Sequence, residues 1–191
     1  PKAAIAPCTT STRILGETPK LALTVAPEGL GQVKTLCLFL HGIGGNRTNW
    51  DAQLSALGLI MPMAALDLRG YGESTLGFAQ SQLDDYFDDI RAVMAEFKAE
   101  RLVLCGLSYG AWIAASFALR HPELIAGLVL CGGCTGMSEA DPDEREAFRI
   151  SREVPLDAGQ TPADFAGAVV NVIAGPNASA EARRALTASM V

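Results

Sequence analysis

One serine lies between two glycines in the stretch CGLSYG, residues 105–110, at the end of an apolar run. The run RLVLC predicts a strand and AWIAASFALR predicts a helix, so Ser108 is expected in the sharp turn between them. Gly106 and Gly110 permit such a turn and close packing of the helix. An exposed serine at this place, with a helix N-terminus behind it, is suited to act as a nucleophile. The alternative is a serine that only caps the helix.

A second glycine-rich stretch, HGIGGN at residues 41–46, directly follows the apolar run TLCLFL. A nucleophilic serine that attacks a carbonyl needs donors for the oxyanion of the tetrahedral intermediate, and backbone amides in such a turn can supply them. We assign this role to the amides of Ile43 and Tyr109, with Gly42 beside them in the substrate-binding site. A simple strand-ending loop remains an alternative. A phosphate-binding loop is disfavoured, because neither GxxxxGK[ST] nor GxGxxG is complete.

Apolar runs that alternate with helical patterns must position these residues. LALTV predicts an early strand, and four further runs predict buried strands at residues 35–40, 63–68, 101–106 and 126–132. Residues 81–100 predict a helix with one apolar face, which Ser81 and Asp84 would begin as a capping box. A second helix should run from about Tyr109 to Arg120 or His121, since Pro122 disfavours helix in the residue before it. This alternation predicts an α/β domain, with a mostly parallel sheet and helices on both faces.

The pattern changes after Gly133. Three helical segments follow with no strand between them: the first contains DPDEREAFRISRE, the second is capped by Thr161 with Pro162 at its first position, and the third is capped by Ser179. We therefore expect an α/β core at residues 1–134 and a helical segment at residues 135–191.

Composition excludes several classes of protein. The 191 residues are 49% hydrophobic with a net charge of −6, and the longest basic run is a pair of arginines, which argues against nucleic-acid binding. No apolar run approaches the length of a membrane span, so we expect a cytoplasmic protein without membrane contact. The five cysteines are expected to be reduced thiols, and the CGGC at residues 131–134 is only a weak redox motif. We expect no cofactor and no metal, and the oligomeric state is left open.

Three blocks, LFLHGIGGNRTNW, MPMAALDLRGYGES and LVLCGLSYGAWIAASFALRHPELIAGLVL, resemble the α/β-hydrolase superfamily, in the branch with small esterases and enol-lactonases. The resemblance covers residues 36–130. It implies that Ser108 is the nucleophile, that His41 and Gly42 shape the oxyanion loop, and that the residues after 135 form a helical cap over the pocket. It also implies a turn after a central strand, built by Asp67, Arg69, Gly70, Gly72 and Ser74. Asp67 and Arg69 are expected to form structural ion pairs or turn hydrogen bonds.

The resemblance implies an acyl-enzyme hydrolase acting on a small-molecule ester, lactone or thioester, because relatives that act on epoxides or haloalkanes carry aspartate at the position of Ser108. Two alternatives stay open: a non-catalytic binding module, and a carbon–carbon bond hydrolase or perhydrolase that uses the same triad.

One departure from the family is evident in the histidines. The family order is Ser, then Asp or Glu, then His, yet the chain contains only His41, which precedes the oxyanion glycine, and His121, which ends the helix after Ser108. The acidic cluster of Glu139, Asp141 and Asp143 fits a helix cap better than a triad acid. We therefore expect that the chain stops inside or just after the cap, which would leave the run at residues 126–132 as an apolar sheet edge.

Overall fold

The computed structural model describes residues 6–133 and 140–190. Its sheet has six strands in the order β1-β2-β4-β3-β5-β6. The strands are β1 (Ser11–Leu15), β2 (Leu21–Ala26), β3 (Thr35–Leu40), β4 (Met63–Leu66), β5 (Arg101–Leu107) and β6 (Ile125–Cys131). The four strands from β4 to β6 run parallel, whereas β1 and β2 are antiparallel to their neighbours. The predicted mostly parallel sheet is confirmed, and β1 is a strand that the pattern did not predict.

Helices cover both faces of the sheet, as predicted. They are α1 (Asp51–Leu57), α2 (Leu83–Phe97) and α3 (Tyr109–Arg120), with short 3₁₀ helices at Arg47–Trp50 and Pro122–Leu124. The buried side chains of α2 and α3 pack on one face of the sheet, in a cluster with the leucines of β3 and β5. Leu54 of α1 and Trp50 pack on the other face, in a second cluster with Cys37 and Cys105. The sheet is therefore the middle of three layers.

The N-terminus of α2 differs by one residue from the prediction. Gln82, not Ser81, is the N-cap, and its N–H donates to Asp85 at 2.7 Å in a capping box. The expected pair of Ser81 and Asp84 is therefore wrong. The two possible capping boxes are hard to distinguish by sequence, because an aspartate lies three residues after Ser81 and another lies three residues after Gln82. The predicted apolar face of α2 is confirmed, with six of its seven residues buried: Tyr86, Phe87, Ile90, Val93, Met94 and Phe97.

β6 is the edge strand beside β5. Leu128 is 40% exposed, and Val129 and Leu130 are each 46% exposed. The expected burial of this strand on both faces is wrong, while its position at the sheet edge agrees with the prediction. An apolar sequence is compatible with a buried strand, but the elements packed around the strand determine whether it is buried.

The chain divides into two compact units, Pro1–Cys134 and Thr135–Val191. The second contains the predicted helices: α4 (Pro142–Asp157), α5 (Pro162–Ile173) and α6 (Ala180–Ala188). Each predicted cap is present, since Thr161 forms a capping box with Asp164 and Ser179 accepts the N–H of Ala182. Asp141 caps α4 by accepting the N–H of Asp143 at 2.8 Å, whereas Glu139 lies outside the described residues.

Candidate functional site

Ser108 lies in the tight turn that joins β5 to α3. Its backbone has φ 51° and ψ −111°, a conformation that non-glycine residues rarely adopt and that costs about 1–3 kcal/mol. The turn is held by the N–H of Ser108, which donates to the carbonyl of Cys131 at 2.8 Å. The Ser108 side chain is exposed and makes no capping hydrogen bond to α3. The helix-cap alternative therefore lacks the hydrogen bond that would define it.

The two glycines of the turn have no room for a side chain. A Cβ on Gly106 would lie 2.3 Å from the carbonyl oxygen of Gly110 and 2.5 Å from the backbone of Ala111. A Cβ on Gly110 would lie 2.4 Å from the carbonyl oxygen of Leu40 and 2.5 Å from that of His41. A side chain would therefore clash at either position. Gly106 lets the turn close, and Gly110 lets α3 approach the end of β3.

The strand register brings the glycine-rich loop after β3 to Ser108. β3 and β5 are parallel neighbours in which Leu40 pairs with Gly106, so the residues two positions further along each strand leave the sheet side by side. A Cβ on Gly42 would lie 3.3 Å from Ser108 Cβ. The structure therefore places the two glycine motifs of the sequence against each other.

The loop after β3 is a tight turn. The N–H of Gly45 donates to the carbonyl of Gly42 at 3.1 Å, and Gly44 has φ 76°. Within the described residues, the N–H of Ile43 donates to no backbone acceptor. The N–H of Tyr109 belongs to the first turn of α3, where helices leave their amides without internal partners. These are the two amides assigned to the oxyanion.

His41 is a positioning residue inside the fold. It is fully buried, and its Nδ1 donates to the carbonyl of Gly42 at 2.8 Å while its Nε2 accepts the N–H of Leu68 at 3.0 Å. Burial lowers the pKa of this imidazole, which keeps it neutral. Because both ring nitrogens are engaged, His41 fixes the loop after β3 against the residues that follow β4 and cannot serve as a base for Ser108.

Asp67 organises the turn after β4. Its buried carboxylate accepts the N–H of Glu73 at 2.9 Å and the N–H of Arg47 at 2.7 Å, and it also pairs with the Arg47 guanidinium. A Cβ on Gly72 would lie 2.2 Å from this carboxylate, so the turn closes around it. Ser74 joins the turn to β2, because its hydroxyl donates to the carbonyl of Asp67 and accepts the N–H of Ala22. The expected structural role of Asp67 is confirmed.

Arg69 forms a buried ion pair with α2. Its guanidinium donates to both carboxylate oxygens of Asp89, at 2.8 and 2.7 Å, and lies 3.3 Å from Asp85. Burial raises the pKa of Asp89, and Arg69 opposes that shift. The sequence analysis predicted a structural role for Arg69 but did not identify Asp89. The available signal was an acidic residue among the apolar positions of α2, between Tyr86 and Ile90.

His121 lies at the opposite end of α3 from Ser108. Twelve helical residues separate the two, which is roughly 18 Å. Its ring contacts Phe117 and Phe87, with centroid distances of 4.9 and 5.9 Å. The described residues therefore contain no histidine that could accept a proton from Ser108.

Tyr109 turns its side chain away from the turn and into the core. Its ring lies edge-on to Tyr86 at 6.0 Å and stacks on Trp112 at 5.5 Å. Burial raises the pKa of the phenol, which stays neutral. Tyr109 can therefore serve the site through its backbone amide, while its ring anchors the start of α3 to α2.

Comparison with known proteins agrees with this geometry. A family model described as the alpha/beta hydrolase fold matches residues 36–174. The chain belongs to the α/β-hydrolase fold family. A carboxylesterase from Bacillus subtilis is similar in structure, with a TM-score of 0.72 at 20% identity, over 95% of this chain and 61% of that one. At this identity the likeness shows the fold alone.

Two curated relatives are similar over shorter stretches. An uncharacterized protein of Mycobacterium tuberculosis is 33% identical over 100 residues, which is 51% of this chain and 29% of the relative. Epoxide hydrolase 3 of Xenopus tropicalis is 33% identical over 100 residues, which is 50% of this chain and 26% of the relative. The matched stretches thus span less than a third of these relatives.

The structure also bears on membranes and metals. Among the helices of residues 6–133 and 140–190, none is long and apolar enough to cross a bilayer. In the same ranges, no group of three or more His, Cys, Asp or Glu side chains is arranged to hold a metal ion. Four cysteines, Cys8, Cys37, Cys105 and Cys131, are free thiols, and Cys134 lies outside the described residues.

Proposed function

We propose that Ser108 is the nucleophile of a serine hydrolase that cleaves a small carboxylic ester, lactone or thioester through an acyl-enzyme. The observation that carries the proposal is the contact between two motifs far apart in sequence. A strained, exposed serine lies beside a glycine turn, with Gly42 close to Ser108 Cβ. Structural packing alone does not account for a serine held at positive φ with an exposed, uncapped hydroxyl.

The proposed reaction uses the geometry in two steps. Ser108 Oγ loses its proton to a base and attacks the carbonyl carbon, and the oxyanion that forms accepts hydrogen bonds from the amides of Ile43 and Tyr109. Collapse of this intermediate expels the alcohol or thiol, which takes up the proton, and leaves an acyl-enzyme. Water then attacks the acyl group and releases the acid and free Ser108.

This proposal requires a base from outside the described residues. His41 uses both ring nitrogens in the fold, and His121 lies roughly 18 Å away along α3. Asp67 and Asp89, the buried carboxylates of the described residues, are each bound to an arginine. We propose that the histidine and acid of the triad come from a further part of the protein, and that residues 135–191 form a helical cap segment.

The serine also bears on the choice among related chemistries. Epoxide hydrolase 3 is a relative over half of this chain, but the resemblance assigns an aspartate nucleophile to enzymes that open epoxides. A serine at position 108 favours acyl transfer, because an acyl-serine is released by attack on its carbonyl carbon. The non-catalytic binding module remains the second candidate function, and it is favoured by the missing base.

A fluorophosphonate probe tests the proposal, since it labels a serine activated by a base. We expect labelling of Ser108 in a protein extended to the length of the family's enzymes, and almost none in residues 1–191. Ser108→Ala should abolish labelling, while Ser151→Ala, which changes an exposed serine of α4, should leave it unchanged. An extended protein that folds and carries an Asp and a late His, yet is not labelled at Ser108, would establish the binding module instead.

A further inference from the structure

The backbone of Ser108 is held on its two sides by two different elements. On the amino side, its N–H donates to the carbonyl of Cys131, the last residue of β6, at 2.8 Å. On the carboxyl side, its carbonyl accepts the N–H groups of Ala111 and Trp112 in α3, at 2.9 and 3.1 Å. The dihedral angles of Ser108 relate these two peptide groups, and a strained conformation persists only where its surroundings determine it. β6 and α3 together therefore hold Ser108 at φ 51°.

The bond on the amino side extends the pairing of β5 with β6. Leu107 pairs with Cys131 in the parallel register, and the N–H of the following residue, Ser108, donates to the same Cys131. β6 is the last strand of the sheet, so its pairing with β5 fixes it from one side. The direction of the Cys131 carbonyl therefore also depends on the residue that follows it, Gly132.

Gly132 adopts a conformation that residues with a side chain rarely adopt, with φ 54°. Within the described residues, a Cβ on Gly132 would have no heavy atom within 4 Å. Steric contact therefore does not explain the glycine, whereas its positive φ does. The next residue, Gly133, passes over the start of α3, because a Cβ there would lie 3.5 Å from Ala111 Cβ. The path of the chain is thus set on both sides of Gly132.

A side chain at position 132 would act on the Cys131 carbonyl. A positive φ becomes negative with little change in the path of the chain when the preceding peptide group turns over, which is the difference between type II and type I turns. Here that group is the peptide between Cys131 and Gly132, and turning it over directs the Cys131 carbonyl away from Ser108. The N–H of Ser108 would lose its acceptor, and its φ could then relax to an ordinary value.

We propose that Gly132 is a positioning residue for Ser108: its left-handed conformation holds the Cys131 carbonyl as the acceptor that keeps Ser108 at positive φ. Gly132 acts through the backbone of its neighbour. For catalysis the proposal rests on the proposed function, in which Ser108 Oγ attacks the carbonyl carbon. The direction of that side chain follows from the backbone, since Cβ is fixed relative to N, Cα and C. A relaxed Ser108 would therefore aim its hydroxyl elsewhere.

Hydrogen exchange of the Ser108 amide, followed by NMR on residues 1–191, tests the proposal without any substrate. We expect a protected amide in the parent and exchange about 10-fold faster in Gly132→Ala, which is the factor that one hydrogen bond contributes. The Cα and Cβ chemical shifts of Ser108 should move toward those of a residue at negative φ. Gly132→Asn should keep more of the protection than Gly132→Ala, because asparagine tolerates the left-handed region although its side chain is larger.

Gly29→Ala is the matched control. Gly29 has φ 75°, and within the described residues a Cβ there would also have no heavy atom within 4 Å. It follows β2, whose last residue Ala26 pairs with Met63, the first residue of β4, so it lies at the opposite end of the parallel strands from Ser108. Both alanine variants carry the same kind of backbone penalty and should lower Tm by similar amounts. Only Gly132→Ala should change the exchange and the chemical shifts of Ser108.

Fluorophosphonate labelling of an extended protein gives the catalytic readout. We expect labelling of Ser108 to be about 10- to 100-fold slower in Gly132→Ala, partly recovered in Gly132→Asn and unchanged in Gly29→Ala. Unchanged exchange and chemical shifts of Ser108 in a folded Gly132→Ala would overturn the proposal. So would an equal effect of Gly29→Ala on Ser108, or a larger effect of Gly132→Asn than of Gly132→Ala. An extended parent that is not labelled would refute the proposed function, and the exchange of the Ser108 amide would still decide the role of Gly132.

Discussion

Gly110→Ala should destabilise the first unit by bringing a methyl group into the junction of α3 and β3. The added Cβ would lie 2.4 Å from the carbonyl oxygen of Leu40 and 2.5 Å from that of His41. Both atoms belong to the backbone, so no side chain can rotate away, and α3 must move outward. Overpacking costs about 1–3 kcal/mol, and we take the upper end here because the contacts are rigid. Alanine returns about 1 kcal/mol of helix propensity. The expected net loss is about 2 kcal/mol.

Urea unfolding followed by tryptophan fluorescence measures this loss. The only two tryptophans, Trp50 and Trp112, both lie in the first unit, so their signal reports its unfolding. A loss of about 2 kcal/mol lowers the urea midpoint by about 1 M, since the slope for a small domain is about 1–3 kcal/mol per M.

Gly127→Ala is the matched control for this change. A Cβ on Gly127 in β6 would meet only the Val103 methyl groups at 3.6 Å, which is ordinary contact. We expect its midpoint to stay near that of the parent, within about 0.5 kcal/mol. Equal midpoints for Gly110→Ala and Gly127→Ala would refute the close approach of α3 to β3, and with it the explanation given for the second glycine of the motif.

Three further predictions concern the site. Ser108→Ala should abolish ester hydrolysis by an extended, active protein without loss of fold; unchanged turnover of an activated ester would contradict the proposed nucleophile. Gly42→Ala should lower kcat about 10²–10³-fold, because its Cβ would press against Ser108 and displace the Ile43 amide; a loss matched by unfolding would argue for a structural effect alone. His41 has a lowered pKa, so the unfolded chain takes up its proton first as the pH falls; the free energy of unfolding should therefore drop by up to about 1.4 kcal/mol per pH unit from about 6.5 down to the folded pKa. His41→Asn should remove this dependence in urea titrations across that range, and a pH profile identical to the parent would contradict it.

The sequence predicted the fold well where local signals and long-range structure agree. The central strands carry continuous apolar runs, and α2 carries a strict apolar face, so their type and burial follow from pattern alone. β1 was missed because its apolar residues do not follow its burial: Ser11 and Arg13 are half-buried, whereas Ile14 is exposed. β6 has the same apolar character as β5 but lies at the sheet edge, and composition does not encode strand order.

The glycine motifs and the turn of the candidate site were predicted, whereas the partners of its ion pairs were not. The glycines and Ser108 belong to motifs of a few consecutive residues, which can be recognised in the sequence directly. The partners of Asp67 and Arg69 lie 20 residues away in each case, at Arg47 and Asp89. Such pairs depend on which strand ends meet which helix, and this is a property of topology. The one local signal of these ion pairs was Asp89, an acidic residue on the apolar face of α2.

The parallel register explains why two short motifs suffice to build the candidate site. Leu40, the last residue of β3, pairs with Gly106, the next-to-last residue of β5, and two residues later the chains are still side by side at Gly42 and Ser108. Beyond these residues the chains diverge, since β3 continues into a turn whereas β5 continues into α3, whose first amide has no partner within the helix. The two proposed oxyanion donors, the amides of Ile43 and Tyr109, therefore follow neighbouring strands at corresponding positions, and a shift of one residue between β3 and β5 would separate them. Any change that alters this pairing should reduce nucleophile labelling before it unfolds the sheet.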